Sequence, residues 1–553
     1  MAASLPQLPE SAGYVRGRRG FGVALDRHAV RIAMYACIVG VIAGYVAVAL
    51  LRFIQLITGI LFYARFSFAN WSPVGNHLGI WVIFIPVIGG AVAGLVIKFW
   101  EPAIKGHGIP EVMQAVLTQH SMVRKRVAIL KPTVTALVIG SGGPFGAEGP
   151  IIQTGGALGS VAGQILHLSA YDRRVLLAAG AAAGMAGTFM APLTGLAVAI
   201  ELIVLEFRAR SFFPIALACV AADAISVFYR GRAPMFLMPQ FTLHSNYELW
   251  LFALLGMICG FIAWGMTLSL SWLEDHFAAL PWKPVAIWSP MLGALFLGII
   301  GYFYPRILGT SYSTITSMLN GQLPVSQMVQ LSIAKLWALV ISLGSGTTGG
   351  VFAPSLIVGG GIGAGFAALW KHWLPWATFS SPGLYALAAM GGVFGAIARA
   401  PITSVIFMFE LSRNAHVVLP LMACVFIADA LMRLLDENSM MTDALAKRGL
   451  VVTQDYVAPT FQLWNMDIVE IMQPVPEGTD TAALLRSPGV VVVRAGDSIA
   501  NTTRRLLDHD ADQAVVMSAD GEPKPIGIAH ISGILALEDQ RVRRHDLRER
   551  QSP

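Results

Sequence analysis

The chain has 553 residues, of which 55% are hydrophobic and only 13% are charged, and its mean hydropathy is +0.65. Soluble domains carry about twice that share of charged residues, so the composition excludes a soluble globular protein and indicates a polytopic membrane protein. The formal net charge of +6 is spread over both termini and the short loops, so no nucleic-acid partner is expected.

The chain begins with a polar and basic stretch, and apolar sequence starts only near residue 31. The arginines of this stretch are Arg16, Arg18, Arg19 and Arg27. By the positive-inside rule we expect residues 1–30 to lie in the cytoplasm, without a secretory signal peptide.

A series of apolar segments predicts membrane helices between residues 31 and 435. In chain order they run about 31–62, 78–100, 126–140, 149–168, 172–188, 191–205, 212–229, 248–275, 286–304, 326–343, 352–370, 383–396, 402–412 and 416–435. Several are shorter than the roughly 20 residues that a straight span requires. Short segments flanked by glycine are typical of half-helices that stop inside the membrane. We therefore expect an all-α, polytopic membrane domain with broken helices.

Cysteine usage predicts neither a disulfide nor a metal site. The cysteines are Cys37, Cys219, Cys259 and Cys424. All lie in apolar segments, without paired or CxxC spacing, so we expect buried thiols and no zinc site.

The most informative stretch is residues 140–150, GSGGPFGAEGP, which precedes an apolar run. A glycine-rich turn that opens a helix leaves backbone N–H groups free to bind an anion. The carboxylate of Glu148 can occupy that position itself, since the positive end of a helix dipole favours negative charge. Helix capping is the simpler interpretation, but an ionisable group in apolar surroundings favours a functional one. Glu148 is therefore our candidate gate.

Two glycine-rich turns resemble this stretch in character and are further candidate anion cradles. They are residues 105–111, KGHGIPE, and residues 349–354, GGVFAP. The first opens a short helix and the second the apolar segment 352–370, where backbone amides are available to an anion.

The stretch recurs later in the chain. Residues 140–159 match residues 344–363 at a constant offset of 204, with eight identical residues that include both glycines of GSG. A second pair, 191–202 and 400–411, has an offset of 209 and the same spacing from proline to glutamate, which pairs Glu201 with Glu410. Duplicated membrane halves with interrupted helices predict a transporter whose site lies near the midplane. The halves are about 31–230 and 245–450.

After about residue 450 the composition changes, and charged residues become frequent. Strands are predicted at 490–493, 513–518 and 526–529, with a helix at 498–508 and a turn at 519–521. We therefore expect a small soluble α/β domain over residues 451–553, on the cytoplasmic side. The arginine-rich end, residues 541–550, is interpreted as a solvated helix end, with anionic-lipid binding as the weaker alternative.

The three glycine-rich motifs and the duplication resemble the CLC family of chloride channels and proton-coupled chloride exchangers, over roughly residues 30–450. The family's GSGIP is similar to GHGIP at 106–110, its G-[K/R]-E-G-P to GAEGP at 146–150, and its GxFxP to GVFAP at 350–354. The resemblance implies a homodimer with one pore per subunit, each pore built from two inverted halves. It also implies a multi-pass protein of the cell (inner) membrane that contacts membrane lipid and has both termini in the cytoplasm.

The resemblance further implies site residues. Glu148 matches the gating glutamate, and the backbone amides of Val351 and Phe352 match donors to a central anion. The full set of anion-binding candidates is Gly106, His107, Gly108, Ile109, Gly146, Gly149, Gly350, Val351, Phe352, Ala353 and Met441. Chloride or another small anion is the expected substrate, and no cofactor is expected.

Several positions depart from the family pattern. His107 replaces the usual serine, Met441 falls where the pore tyrosine is expected, and Ala147 replaces a basic residue. The exchangers' internal proton-transfer glutamate falls at Leu202, next to Glu201. For His107, loop capping and anion donation stay open alternatives, whereas packing is the favoured role for Met441. Glu201 and Leu202 are the proton-path candidates, with a structural role favoured for Glu201 because Glu410 repeats it.

The tail, with cues at residues 468–472, 491–507 and 521–535, resembles a cystathionine-β-synthase-type (CBS) regulatory domain. Such domains usually work in pairs and only one unit is evident here, so a dimer contact or a lid is favoured over adenine-nucleotide binding.

From these features the expected function is passive anion conduction gated by Glu148, because Leu202 can neither accept a proton nor hold a water. The alternative is a proton-coupled chloride exchanger that uses another internal proton route. An intramembrane enzyme with Glu148 as general base is a third interpretation. It finds no support, since the sequence offers no nucleophile–base pair or metal-ligand cluster.

Overall fold

A computed structural model describes residues 27–118, 121–205, 209–281 and 284–447, together with parts of 468–532. The chain divides into two units, Met1–Ala444 and Leu445–Pro553. The predicted basic stretch lies almost wholly outside the described residues, as do the turn at 519–521 and the arginine-rich end.

The first unit is built from helices. They are α1 (Arg27–Tyr63), α2 (Ile85–Phe99), α3 (Ile109–Thr118), α4 (Lys125–Gly140), α5 (Glu148–Ile165), α6 (Ala170–Phe189), α7 (Pro192–Val198), α8 (Ala209–Arg230), α9 (Leu249–Ala278), α10 (Val285–Phe303), α11 (Tyr312–Leu319), α12 (Val325–Gly344), α13 (Phe352–Trp373), α14 (Pro382–Ala398), α15 (Pro401–Ser412), α16 (Val418–Leu435) and α17 (Met440–Ala446). Short 3₁₀ turns include Pro102–Ile104 and Pro305–Ile307, and α7 continues as a π-helical segment, Ala199–Val204.

Within the described part, eight helical stretches are long and apolar enough to cross a membrane. Shorter apolar helices, among them Pro382–Ala398 and Pro401–Ser412, correspond to the predicted half-helices. The predicted all-α membrane fold with broken helices is therefore confirmed, and every predicted apolar segment contains a helix.

The two halves break their helices in the same way. Helix α6 ends at Met190 (φ 55°) and α14 at Arg399 (φ 51°), both in the left-handed conformation. The next residues, Ala191 and Ala400, are non-helical because each precedes a proline. That proline then opens α7 or α15, where its missing N–H costs nothing. The sequence thus encodes one helix–break–helix unit twice.

Glycine permits close helix contacts in both halves. A Cβ on Gly155 of α5 would lie 2.1 Å from the carbonyl oxygen of Gly180 in α6. In the second half, a Cβ on Gly359 of α13 would lie 2.3 Å from the carbonyl oxygen of Ala389 in α14. Small residues of this kind let membrane helices approach closely, so α5 and α13 are fixed against their neighbours.

The second unit contains a four-stranded sheet of order β1-β4-β3-β2. Its elements are β1 (Gln473–Pro474), β2 (Val490–Arg494), α18 (Ile499–Asp508), β3 (Gln513–Met517) and β4 (Pro525–His530). Strands β2 and β3 are parallel, as expected for strands joined through a helix, and the other pairs are antiparallel. The predicted strands and helix are confirmed, whereas the two-residue β1 was not predicted.

Candidate anion site

The three glycine motifs meet in the interior of the first unit. Gly146 and Gly350 exchange backbone hydrogen bonds of 2.9 and 3.0 Å. Gly106 donates to the carbonyl of Thr347 at 3.0 Å, and its own carbonyl accepts from Gly349 at 3.3 Å. These amides serve to join the motifs, so Gly106, Gly146 and Gly350 position the site rather than present their N–H groups to an anion.

Glu148 is the first residue of α5, and its side chain is fully buried at this junction (0% exposed). A Cβ on Gly146 would lie 1.6 Å from Glu148 Oε2, and one on Gly350 would lie 3.2 Å from the same atom. The carboxylate therefore rests against the bare backbones of two motifs. Helix starts leave their first N–H groups without a partner in the helix, and α5 and α13 both start here. The carboxylate thus occupies the kind of place that suits a small anion.

Glu148 has one side-chain hydrogen-bond donor, and the sequence did not reveal it. The hydroxyl of Tyr312 donates to Glu148 Oε1 at 2.9 Å, while Oε2 has no hydrogen-bond partner among the described residues. Tyr312 opens α11, which lies outside every predicted apolar segment. An upstream extension of the internal repeat would have revealed this region, since Pro102 and Gly106 recur as Pro305 and Gly309 at an offset of 203.

The other predicted anion-site residues fall into two groups, those buried within or beside the motifs and those with local hydrogen-bond partners. His107, Ile109, Val351, Phe352 and Ala353 are all buried within or beside the three motifs. A Cβ on Gly149 would lie 1.9 Å from the carbonyl oxygen of His107, so the first and second motifs touch.

Two candidates have local partners. The N–H of Gly108 donates to Glu111 Oε2 at 2.9 Å, so that amide is already occupied by a carboxylate of the helix that it precedes. Met441 is buried in α17, and its N–H donates to Ser439 Oγ at 3.2 Å. Its thioether offers no hydrogen-bond donor, in keeping with a packing role.

Aromatic rings pack against one another beside Tyr312, the residue that donates to Glu148. Phe189 makes ring contacts with Tyr312, Phe352 and Phe407 at centroid distances of 6.2, 5.9 and 5.0 Å. Phe352 also contacts Phe394 at 3.7 Å. The pairs of Phe189 with Tyr312 and Phe407 are edge-to-face, an arrangement that is favourable for aromatic rings. The cluster therefore packs apolar surface against Tyr312, the hydrogen-bond donor to Glu148.

Glu201 and Glu410 have reciprocal roles. The two oxygens of Glu201 accept the N–H groups of Ile402 and Thr403, at 3.1 and 2.6 Å, at the start of α15. Those of Glu410 accept the N–H groups of Leu193 and Thr194, at 2.9 and 2.7 Å, at the start of α7. Each carboxylate caps the broken helix of the other half, where the dipole favours negative charge.

The matching roles of Glu201 and Glu410 give a prediction in which each residue is the control for the other. We expect Glu201→Gln and Glu410→Gln to destabilise the protein by similar amounts, roughly 1.5–3 kcal/mol each, because each replaces a hydrogen bond to a charged group. Thermal unfolding in detergent measures this effect. We also expect both variants to keep the same ratio of proton to chloride movement. A loss of proton movement in Glu201→Gln alone would show instead that Glu201 carries protons.

Leu202 lies buried in the π-helical segment beside Glu201. Its side chain can neither bind nor release a proton.

Among the described residues no group of three or more His, Cys, Asp or Glu side chains could hold a metal ion. The cysteines are free thiols.

The comparisons with known proteins all indicate the same protein family. Residues 89–433 match the family described as voltage gated chloride channel. The chain is 32% identical over 400 residues to the H(+)/Cl(−) exchange transporter ClcA of Vibrio campbellii. The aligned region covers 70% of this chain and 84% of that protein. The Vibrio vulnificus protein of the same name is 31% identical over 401 residues, 71% of this chain and 84% of its own. The crystal structure of a slow cyanobacterial Cl−/H+ antiporter superposes with a TM-score of 0.64 at 27% identity, covering 76% of this chain and 98% of that one.

These findings contradict the prediction of passive conduction, because the relatives and the structural neighbour are named exchangers or antiporters. That prediction assumed that coupling fails when residue 202 cannot hold a proton. The absence of one ionisable side chain does not justify this conclusion, because water or other groups can also move protons. The predicted membership of the family, by contrast, is confirmed, and its members are transporters rather than enzymes. The chain is an integral multi-pass membrane protein and belongs to the voltage-gated chloride channel (CLC) family.

Proposed function

We propose that this protein exchanges chloride for protons across a membrane. The observation that carries the proposal is the position of Glu148, whose buried carboxylate lies at the junction of the three glycine motifs, at the start of α5. A group in that place competes with an anion for the same backbone dipoles. The carboxylate of Glu148 can also bind and release a proton, so the same side chain serves as gate and proton carrier.

The two roles follow from charge. The ionised carboxylate satisfies the positive ends of the helices and keeps chloride out. Once protonated, it loses that attraction and leaves, and chloride can then enter the vacated place. A proton and a chloride ion therefore occupy the site alternately, which links their movements in opposite directions.

Protons must also reach Glu148 from the far side of the membrane. Leu202 cannot relay them, and both oxygens of Glu201 are engaged by backbone N–H groups of α15. We propose that the proton route passes residue 202 without an ionisable side chain at that position. Water molecules in contact with buried polar groups are the simplest carrier of this kind.

The test is uphill proton movement. Purified full-length protein is reconstituted into liposomes with a chloride gradient and no initial pH gradient. We expect chloride flow to drive protons in the opposite direction until the pH gradient opposes it. Chloride efflux with no pH change, at rates well above those of empty liposomes, would reject exchange.

The membrane setting is proposed from the resemblance and the sequence. We propose a homodimer with one pore per subunit in the cell (inner) membrane, with residues 1–30 and 451–553 in the cytoplasm. The basic N-terminal stretch supports this orientation through the positive-inside rule. On α1, Met34, Ile38 and Ile42 are exposed and lie one turn apart, which suits contact with lipid or a second subunit.

The tail is proposed to be a regulatory domain of the CBS type. Its sheet encloses a small apolar core that includes Val493, Leu506 and Val516. A dimer contact or a lid is the role we favour, with adenine-nucleotide binding as the alternative.

A further inference from the structure

We propose that the hydroxyl of Tyr312 is a side-chain donor to the transported anion. In the structure it donates to Glu148, and it donates to chloride once Glu148 has left. This inference rests on the proposed function in one respect, namely that carboxylate and anion take turns at one place. It concerns equilibrium binding of the anion and is independent of proton coupling.

Tyr312 stands at the symmetry-related counterpart of the first glycine motif. The 3₁₀ turns Pro102–Ile104 and Pro305–Ile307 are 203 residues apart, and so are the starts of α3 and α11. Tyr312 therefore corresponds to Ile109, the residue that follows Gly-His-Gly. The second half thus contributes a fourth segment to the site, and this segment carries a hydroxyl.

Two buried lysines hold these segments in the same way. Lys131 Nζ donates to the carbonyls of Ile104 and Gly106, both at 2.9 Å. Lys335, which is 204 residues further on, donates to Ile307 and Gly309 at 2.7 and 3.2 Å.

Lys335 also binds Ser311 Oγ at 3.0 Å, next to Tyr312. Both lysines are fully buried, so each fixes its segment firmly.

Local backbone and packing aim the Tyr312 side chain. Ser311 adopts a left-handed conformation (φ 57°) immediately before α11, which sets the direction in which the helix begins. The ring then packs edge-on against Phe189 and Phe236, at centroid distances of 6.2 and 5.9 Å. The hydroxyl is therefore held at Glu148 Oε1 by its surroundings, in addition to the hydrogen bond itself.

Tyr312 also lines a cavity of about 680 Å³. Among the described residues that line this cavity, the charged side chains are Arg52, Arg230 and Arg306, and none is a carboxylate. A cavity lined by charge of one sign raises the local concentration of the opposite ion. An anion that enters from this side therefore meets Tyr312, whose hydroxyl contacts Glu148.

The chemistry of a hydroxyl makes the two uses exclusive. A tyrosine has one O–H to donate, so it cannot serve the carboxylate and an anion at the same time. Where the family resemblance leads us to expect hydroxyl donors, this chain has His107 and Met441. Tyr312 supplies a hydroxyl from the opposite half of the repeat.

Calorimetric titration with chloride of the full-length protein in detergent tests the proposal. The first comparison is Glu148→Ala against Glu148→Ala combined with Tyr312→Phe, since removal of the carboxylate leaves the hydroxyl to the anion. Loss of a hydrogen bond to a charged group weakens binding by about tenfold or more, and we expect that factor. Equal chloride affinity in the two proteins would overturn the proposal.

A matched control separates binding from structure. Tyr385 is a buried tyrosine that also binds a carboxylate, since it donates to Glu248 Oε2 at 2.7 Å. We expect Glu148→Ala combined with Tyr385→Phe to lower thermal stability but to keep the chloride affinity of Glu148→Ala. An equal loss of affinity in this control would assign the effect to general loosening and also overturn the proposal.

If the doubly substituted protein does not stay monodisperse, Tyr312→Phe alone is titrated at acidic pH, where Glu148 is protonated. The same factor of about ten against the native chain is expected, and its absence counts against the proposal. No proton is transported in these titrations. A failure of proton–chloride exchange in liposomes would therefore not change what the titrations show about chloride binding by Tyr312.

Discussion

Replacing Glu148 by alanine is expected to stop proton movement while chloride movement continues. The buried carboxylate is the group that blocks the anion's place and takes up the proton, so its removal opens the path and ends the coupling. A positioned proton-transferring group contributes about 10²-fold or more, so we expect proton flux to fall at least that far. Chloride-selective and pH electrodes, read together on one liposome suspension, measure both fluxes.

Glu148→Gln is the matched control, since it keeps the size of the side chain and removes its titration. We expect it to be as uncoupled as the alanine variant. Chloride-driven proton movement that persists in Glu148→Ala would remove Glu148 as the carrier.

Gly149→Ala is expected to have the second large effect, on the integrity of the site. The added Cβ would lie 1.9 Å from the carbonyl oxygen of His107 and 3.2 Å from Gly350 Cα, so it meets backbone of both other motifs. Overpacking of this kind costs about 1–3 kcal/mol or more, and relief requires the motifs to separate. We expect loss of chloride transport together with a lower unfolding temperature in detergent.

Gly265→Ala provides the comparison, because a Cβ on Gly265 in α9 would meet nothing within 4 Å. Alanine favours a helix over glycine by about 1 kcal/mol, so this variant should be at least as stable as the native chain. Native transport by Gly149→Ala would mean that the motif junction is looser than the structure has it.

Much of the fold could be predicted because apolar length and glycine–proline punctuation determine where membrane helices begin and end. The predicted segments at 126–140 and 402–412, for example, correspond closely to α4 and α15. The short helices α11 and α17 lay outside the predicted apolar segments. Tertiary contacts fix such short helices more than their own composition does.

The candidate site could be predicted only in part. The glycine motifs and Glu148 were found because their spacing repeats and because a charge in apolar surroundings is conspicuous. Tyr312 was missed because a single tyrosine in a polar stretch carries no local signal, and only the fold brings it to Glu148. The reciprocal capping by Glu201 and Glu410 also requires the two halves to be placed together in space.

Coupling was predicted wrongly for a physical reason. The inference from Leu202 treated the proton route as a chain of side chains, in which one substitution breaks the path. A route that includes water needs polar surroundings rather than an acid at one fixed position. Sequence alone does not show where water can enter a packed membrane interior.

The reversal potential of the protein in planar bilayers, under opposed chloride and pH gradients, tests the central claim most directly. For an exchanger, this potential depends on both gradients in a fixed proportion set by the ratio of chloride to protons. We expect it to shift when the pH gradient alone is changed, and to lose that shift in Glu148→Ala. A reversal potential that follows the chloride gradient alone in the native protein would contradict proton-coupled exchange.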